Sequence, residues 1–428
     1  MAKTTSKVAL MTAIREANDV FRYCSKRLKI LSALSWGAKT AHEFLRKKEL
    51  VMPQVTYQID RPGLNQMCET LRALGPKLKG EHPVLQWLTR TQESYLQGAQ
   101  LLLEVGTDSF YEISTQMYGN STSKLFKGKI SNLDLADRIS QRMSVCTLND
   151  IGESTIAKTA DEFAHVIEAK IRDRNPHMNV RIEMTDDISA KVVAGMNRVR
   201  IRSGATFSEL EVAALWNHEI ESHSLTANNG ILQENCDFLC SGGPRTTLTQ
   251  EGLAVFFEMY GHSLSQRRFL ALCDRVHAVK LVEDGANFIE LYRWYRERSD
   301  SEMDAFFAAS RIFRGAKLEG KRPFTKDVVY VGGLLGIFNF LQIAVKNQNR
   351  LLVESLICGR IALEDVGTIA WLRTHGILSP PRFIPTWIRN WEGLLSFFSF
   401  SAFLNSIDLN AYQGYFDTNT LQDWDLSV

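Results

Sequence analysis

Val180-Arg181-Ile182-Glu183-Met184, Lys191 to Ala194 and Arg198-Val199-Arg200-Ile201-Arg202 lead, through Ser208-x-x-Glu211, into Trp216-Asn217-His218-Glu219-Ile220-Glu221-Ser222-His223. The first three segments alternate with period two, the signature of half-buried strands, and Gly195 to Asn197 suits a tight hairpin between the last two. Ser208-x-x-Glu211 has the capping-box pattern of a helix start, and the apolar run Val212 to Trp216 follows it. Apolar residues recur with helical spacing elsewhere. Helices are expected over Lys7 to Leu34, Lys39 to Val51, Asn65 to Leu74, Pro83 to Val105 and Ser154 to Arg172. Further ones are expected over Gln250 to Tyr260, Gln266 to Asp284, Phe288 to Arg298, Ser301 to Arg314, Asp327 to Lys346 and Gly359 to Thr374. Val51 to Ile59 alternates weakly and is a candidate short strand. The class is α+β, mainly helical, with a small sheet directly before the helix that carries the chemistry.

Neutral imidazoles are good zinc ligands, and a Glu beside the first can act as base on a zinc-bound water. In the familiar H-E-x-x-H motif the histidines lie four apart on one helical face. Here they are five apart, His218-Glu219-x-x-x-His223. At about 100° per residue, five steps leave the second ring roughly 140° from the first. Both reach one ion only if the helix carries a π-bulge or ends early, and such bulges are frequent at functional sites. Histidines on an amphipathic helix are more often hydrogen-bonded core residues. A random motif of this form in a chain this long is, however, a roughly one-in-a-hundred event. Two ligands are too few. Thr249-Gln250-Glu251-Gly252-Leu253-Ala254 offers a third in Glu251, expected in the first turn of a helix capped by Thr249.

Taken together, His218-Glu219-x-x-x-His223, Asn229-Gly230 and Gln250-Glu251-Gly252-Leu253-Ala254 resemble the tyrosine/phenylalanine carboxypeptidase family. Its bacterial members are called flavohaemoglobin expression-modulating QEGLA-motif proteins, and its animal members include the microtubule-associated tyrosine carboxypeptidases. The likeness continues through Asp284-Gly285-Ala286-x-Phe288, Arg311-Ile312-Phe313-Arg314-Gly315, Phe324-Thr325-Lys326-Asp327-x-x-Tyr330 and Pro380-Pro381-Arg382-Phe383-Ile384-Pro385, over about residues 25 to 392. The resemblance implies a zincin-like metallopeptidase with one Zn²⁺ on His218, His223 and Glu251, Glu219 as base, and removal of a C-terminal aromatic residue. Two departures are the loop with Cys236 and Cys240 and the extension Ala316 to Pro323, both expected to alter the substrate pocket. A carboxypeptidase must also bind a carboxylate. Arg311 and Arg314, ahead of Lys326, are the candidates, and Tyr330 is a candidate donor to the oxyanion. The expected partner is a peptide or protein C-terminus. The rivals are a regulatory or scaffold protein acting through partners, and a zinc endopeptidase or amidase.

The rest of the sequence narrows the class. Its 428 residues divide into an N-terminal helical region (1–120), a catalytic region (121–392) and a C-terminal extension (393–428). Apolar residues at 45% and charged residues at 23% exclude disorder and fibrous repeats. Fifty Lys and Arg against forty-eight Asp and Glu give +2, so no whole-chain field draws nucleic acid or anionic lipid. Seven sparse cysteines read as reduced thiols, and with no signal-peptide pattern the expectation is a cytoplasmic protein. The apolar window Val328 to Val345 holds three glycines, Asn339 and Gln342, and reads as a core helix, so no membrane partner is expected. Gly315-x-x-x-x-Gly320-Lys321 is followed by Arg322, whereas the phosphate loop needs Ser or Thr there. The other seven histidines show no ligand spacing.

Overall fold

The computed structural model describes residues 7–404 apart from 127, 145–157, 187, 189, 196 and 300. It is α+β and mostly helical. The three expected strands form one sheet in the order β2-β4-β3: β2 (Arg181–Thr185) runs parallel to β4 (Arg198–Arg202), and β3 (Val192–Ala194) pairs antiparallel to β4. Beyond the expected strands, β1 (Lys158–Thr159) pairs antiparallel with β5 (Thr206–Phe207). The helix Ala160–Arg174 closes this unit, starting at a Thr159–Glu162 capping box; the expected start at Ser154 lies outside the described residues. Phe163 stacks on Phe207 at 4.3 Å in a small core of its own. β3 is an edge strand, and that edge faces the candidate site.

The main core is continuous from Leu10 to Phe398, so the N-terminal helices share it with the helices after residue 250. Its tightest crossing lies between the helices Thr247–Tyr260 and Val329–Lys346. A Cβ on Gly252 would lie 2.2 Å from the Gly333 carbonyl carbon, and one on Gly333 would lie 2.3 Å from the Leu248 oxygen. Only two glycines let these backbones touch. The contact brings the chain just before the second helix, with Lys326 and Asp327, against the Glu251 turn. That apolar helix is long enough to cross a bilayer, yet 67% of its window is buried within the protein.

Several boundaries differ from expectation for identifiable reasons. Residues 51–59 form no strand. The first long helix breaks into Lys7–Arg27 and Ile30–Ala33. The helix expected from Asn65 begins at Arg61, because Asp60 caps the Gly63 N–H and Pro62 sits in the first turn, where its missing N–H costs nothing. Thr249 is not a cap: its hydroxyl accepts the Leu363 N–H, and its helix starts at Thr247. Of the last expected helix, Gly359 to Thr374, only Val366–Thr374 is α-helical, because Gly359 is pressed against Leu239; a separate helix, Arg350–Leu356, precedes it.

Candidate metal centre

The helix that starts at the Ser208–Glu211 capping box, Glu209–Leu215, changes at Trp216 into a π-helix that runs to Ser224. The Leu225 N–H at its end reaches the Ile220 carbonyl, an i→i+5 bond. The wider turn brings His218 and His223 together, with ring centroids 5.0 Å apart and planes at 85°. Asn229 and Gly230 lock the helix that follows. Asn229 donates to the carbonyls of Ile357 (2.8 Å) and Phe383 (2.7 Å) and accepts the Phe383 N–H, while a Cβ on Gly230 would strike Leu239 and Cys240. Glu221, the other carboxylate of the segment, is buried and accepts the Thr386 N–H at 3.1 Å.

Glu251 faces both rings. Its Oε2 lies 3.6 Å from His218 Nε2 and 3.8 Å from His223 Nε2, and one ligand atom from each residue falls within 4.8 Å of the others. Ligands on a tetrahedral zinc stand about 3.4 Å apart, so the two Glu251–histidine distances fit that ion with shifts of a few tenths of an ångström. The second atoms of each group explain the aim. His218 Nδ1 is 2.6 Å from Glu258 Oε1, and His223 Nδ1 is 3.4 Å from Gln250 Oε1. An acceptor at each Nδ1 puts the ring proton there and leaves Nε2 with its lone pair free for a metal. Glu251 Oε1 takes a hydrogen bond from Lys326 Nζ at 2.9 Å, which turns Oε2 toward the rings. Glu258 is fully buried and held by both arms of Arg268, one at 2.7 Å.

The electrostatics mark a site made for positive charge. Burial alone would push the His218 imidazolium down, but Glu251 and Glu258 outweigh it and lift its pKa to about 10. Burial opposes the charge of Glu251, yet Lys326 and the two histidines hold its pKa well below the carboxylate range. Such a site draws a positive charge between its rings and carboxylates, as a metal ion would supply. Glu219 sits beside these three residues. Its Oε2 accepts the Ala194 N–H from the outer edge of β3 at 2.8 Å, and Oε1 has no hydrogen-bond partner among the described residues.

Beyond His218, His223 and Glu251 lies a cleft of about 1460 Å³. Tyr330 lines it, and its oxygen accepts from Arg311 at 3.3 Å and Lys326 at 3.5 Å. Arg311 is also bidentate on Asp327, at 2.5 and 2.9 Å. Arg314 is buried on the same wall, its pKa pushed down to about 10 by burial and the like charge of Arg311. Of the two departures noted in the sequence, Cys240 lines the cleft, while residues 316–323 lie outside it and Lys317 and Arg322 pair with Asp108. The six described cysteines are free thiols. Sequence reasoning missed Glu258, Arg268 and Arg360. Glu258 had a signal, standing two helical turns beyond Glu251; the two arginines had none.

With this constellation in place, the model of the microtubule-associated tyrosine carboxypeptidase family matches residues 42–406. The chain belongs to that family. The match spans the strands, the π-helix, the Glu251 helix and the Lys326 to Tyr330 segment, and nearly coincides with the reach of the motifs. No individual curated protein matches the chain. The family's description names carboxypeptidases, which are hydrolases acting on a peptide or protein end.

Proposed function

We propose that the chain is a zinc-dependent, zincin-like carboxypeptidase that removes a C-terminal Tyr or Phe from a peptide or protein. The observation that carries the reading is the meeting of His218, His223 and Glu251 on and against a π-helical turn that also bears Glu219. Bound by these three, Zn²⁺ would act as a Lewis acid on the scissile carbonyl and lower the pKa of a water toward neutrality. The residues around it have separable tasks. Glu219, fixed through Oε2 by Ala194, presents Oε1 to take the water's proton and pass it to the leaving amine. Tyr330 receives hydrogen bonds from Arg311 and Lys326 on its oxygen, so its own proton is left to give to the carbonyl oxygen as charge builds there. Lys326 and Glu258 orient the ligands. β3 is an edge strand, so an extended peptide can add beside it, next to the Ala194 N–H that holds Glu219.

The cleft also favours one kind of peptide. Thirteen Lys and Arg line it against five Asp and Glu, so an acidic tail is drawn in and a basic one repelled. The test compares a peptide ending in Glu-Tyr with its C-terminal amide. The free acid should lose Tyr, and the amide should be cut far more slowly. Glu219→Gln should keep its fold and metal and lose about 10²–10⁴-fold in rate, as removal of a general base does. Equal rates on acid and amide would instead mean an endopeptidase or amidase.

A further inference from the structure

An exopeptidase holds the terminal carboxylate one residue beyond the bond it cuts, about 3.3–3.6 Å of extended chain. A carboxylate taken out of water needs a cation, and a guanidinium can meet it with two parallel hydrogen bonds. Most cations near the metal ligands are already spent. Lys326 is bonded to Glu251, Arg268 to Glu258 and Arg311 to Asp327. Arg314, whose Nε is buried without an acceptor, lies among Tyr57, Arg311, Asp327 and Tyr330, next to the like charge of Arg311.

Arg360 differs from the three paired cations and, unlike Arg314, hydrogen-bonds the backbone of one of the site histidines. Among the described residues it has no carboxylate partner, and its one side-chain hydrogen bond is a long one, Nη2 to the His223 carbonyl oxygen at 3.4 Å. Its Nε is buried without an acceptor, and its half-buried guanidinium lines the cleft. Burial works against its charge, while Cys240, Glu219 and Glu251 work for it, so it stands within electrostatic reach of both site glutamates. The donors around it are equally unspent. Among the described residues Lys29 Nζ is bonded only to the Ser25 carbonyl at 2.8 Å, Tyr95 Oη is buried with no partner, and Gln250 Nε2 is buried with none while Oε1 serves His223 and Thr226. The position is built in. The Arg360 N–H is bonded to the Leu239 carbonyl at 2.8 Å. The Gly242-Gly243 turn, with φ of 70° and 87°, fits between Arg360 and Tyr95, where a Cβ on Gly242 would lie 2.6 Å from Arg360 Cβ.

We propose that Arg360, with Lys29 beside it, receives the α-carboxylate of the substrate's last residue. The proposal rests on the carboxypeptidase reading and replaces Arg311 and Arg314 as the anchor within it. The Arg360 charge weighs against that of Lys29, neither is paired with a carboxylate among the described residues, and a substrate carboxylate arriving between them offsets that repulsion.

The experiment measures steady-state kinetics on the Tyr-ended peptide and its amide, and calorimetric binding of N-acetyltyrosine and its amide to the Glu219→Gln protein. Arg360→Ala should raise KM for the free acid and cut its advantage over the amide about 10–100-fold, as expected for losing a charge-assisted hydrogen bond. Arg360→Lys should restore part of that advantage, and Lys29→Met should weaken binding of the acid but not the amide. Should Arg360→Ala fail to fold, the Lys29→Met and Arg360→Lys binding data decide. Acid preference that survives in Arg360→Ala, or that falls only in Arg314→Ala, overturns the assignment and leaves the carboxypeptidase reading standing. A wild-type protein that treats acid and amide alike removes that reading itself.

Discussion

Glu258 and Gln250 do the same job for two histidines with different chemistry. Each accepts an Nδ1–H and so aims an Nε2 at Glu251, but Glu258 also brings a charge that Arg268 balances. A negative acceptor makes the ring a better donor to a metal, so His218 should be the stronger ligand. Glu258→Gln can still accept the hydrogen bond but loses that charge. Zinc affinity in a chelator competition should fall about 10–100-fold. An unchanged affinity in a folded variant would show that Glu258 serves packing alone. His223→Ala removes a ligand outright, and metal content measured by mass spectrometry should fall below one per chain. Full stoichiometry in that variant would break the ligand assignment. The meeting of His218, His223, Glu219 and Glu251 was legible because local spacing and two short motifs announce it. Arg268 and Arg360 arrive from elements distant in sequence, where no period or motif announces a contact.

At the scale of elements, the five-residue histidine spacing foretold a departure from α geometry, and the chain answers with nine π-helical residues, longer than the single bulge that would have sufficed. The small sheet was equally legible, since alternation sets the strands directly. Residues 51–59 also alternate, but a strand needs a neighbour, and no described strand pairs there. Gly252 shows what a motif conceals. In sequence it is one letter between Glu251 and Leu253; in the fold it is the point where two helices meet backbone to backbone and bring Lys326 to Glu251. Gly252→Ala should therefore destabilise the protein by about 1–3 kcal/mol, the usual cost of overpacking, and weaken metal binding with it. Gly367→Ala is the control, because nothing lies within 4 Å of its added methyl. Denaturant melts of both variants check the difference, and equal stabilities would mean that the crossing relaxes at no cost.

On the scale of the whole molecule, charge is arranged and not abundant. A net +2 over 428 residues predicts no long-range attraction, yet the cleft wall is strongly basic. Some compensating acids pair with the wall from behind, as Glu258 does with Arg268 and Asp237 with Arg22, and the rest lie elsewhere on the protein, so the remaining field is focused where a substrate enters. Such a field acts on encounter and binding more than on the chemical step, and salt screens it over about 10 Å at 0.1 M ionic strength. KM for an acidic peptide ending in Tyr should thus rise several-fold between about 0.05 and 0.5 M salt, with kcat little changed, while a neutral peptide of equal length should show little change in either. The comparison separates the cleft from the anchor. The terminal carboxylate is common to both peptides, so Arg360→Ala should penalise both, whereas replacing Lys26 at the cleft rim should penalise the acidic peptide alone. A salt response identical for the two peptides would mean that only the last residue is read electrostatically and that the remaining basic lining serves the fold.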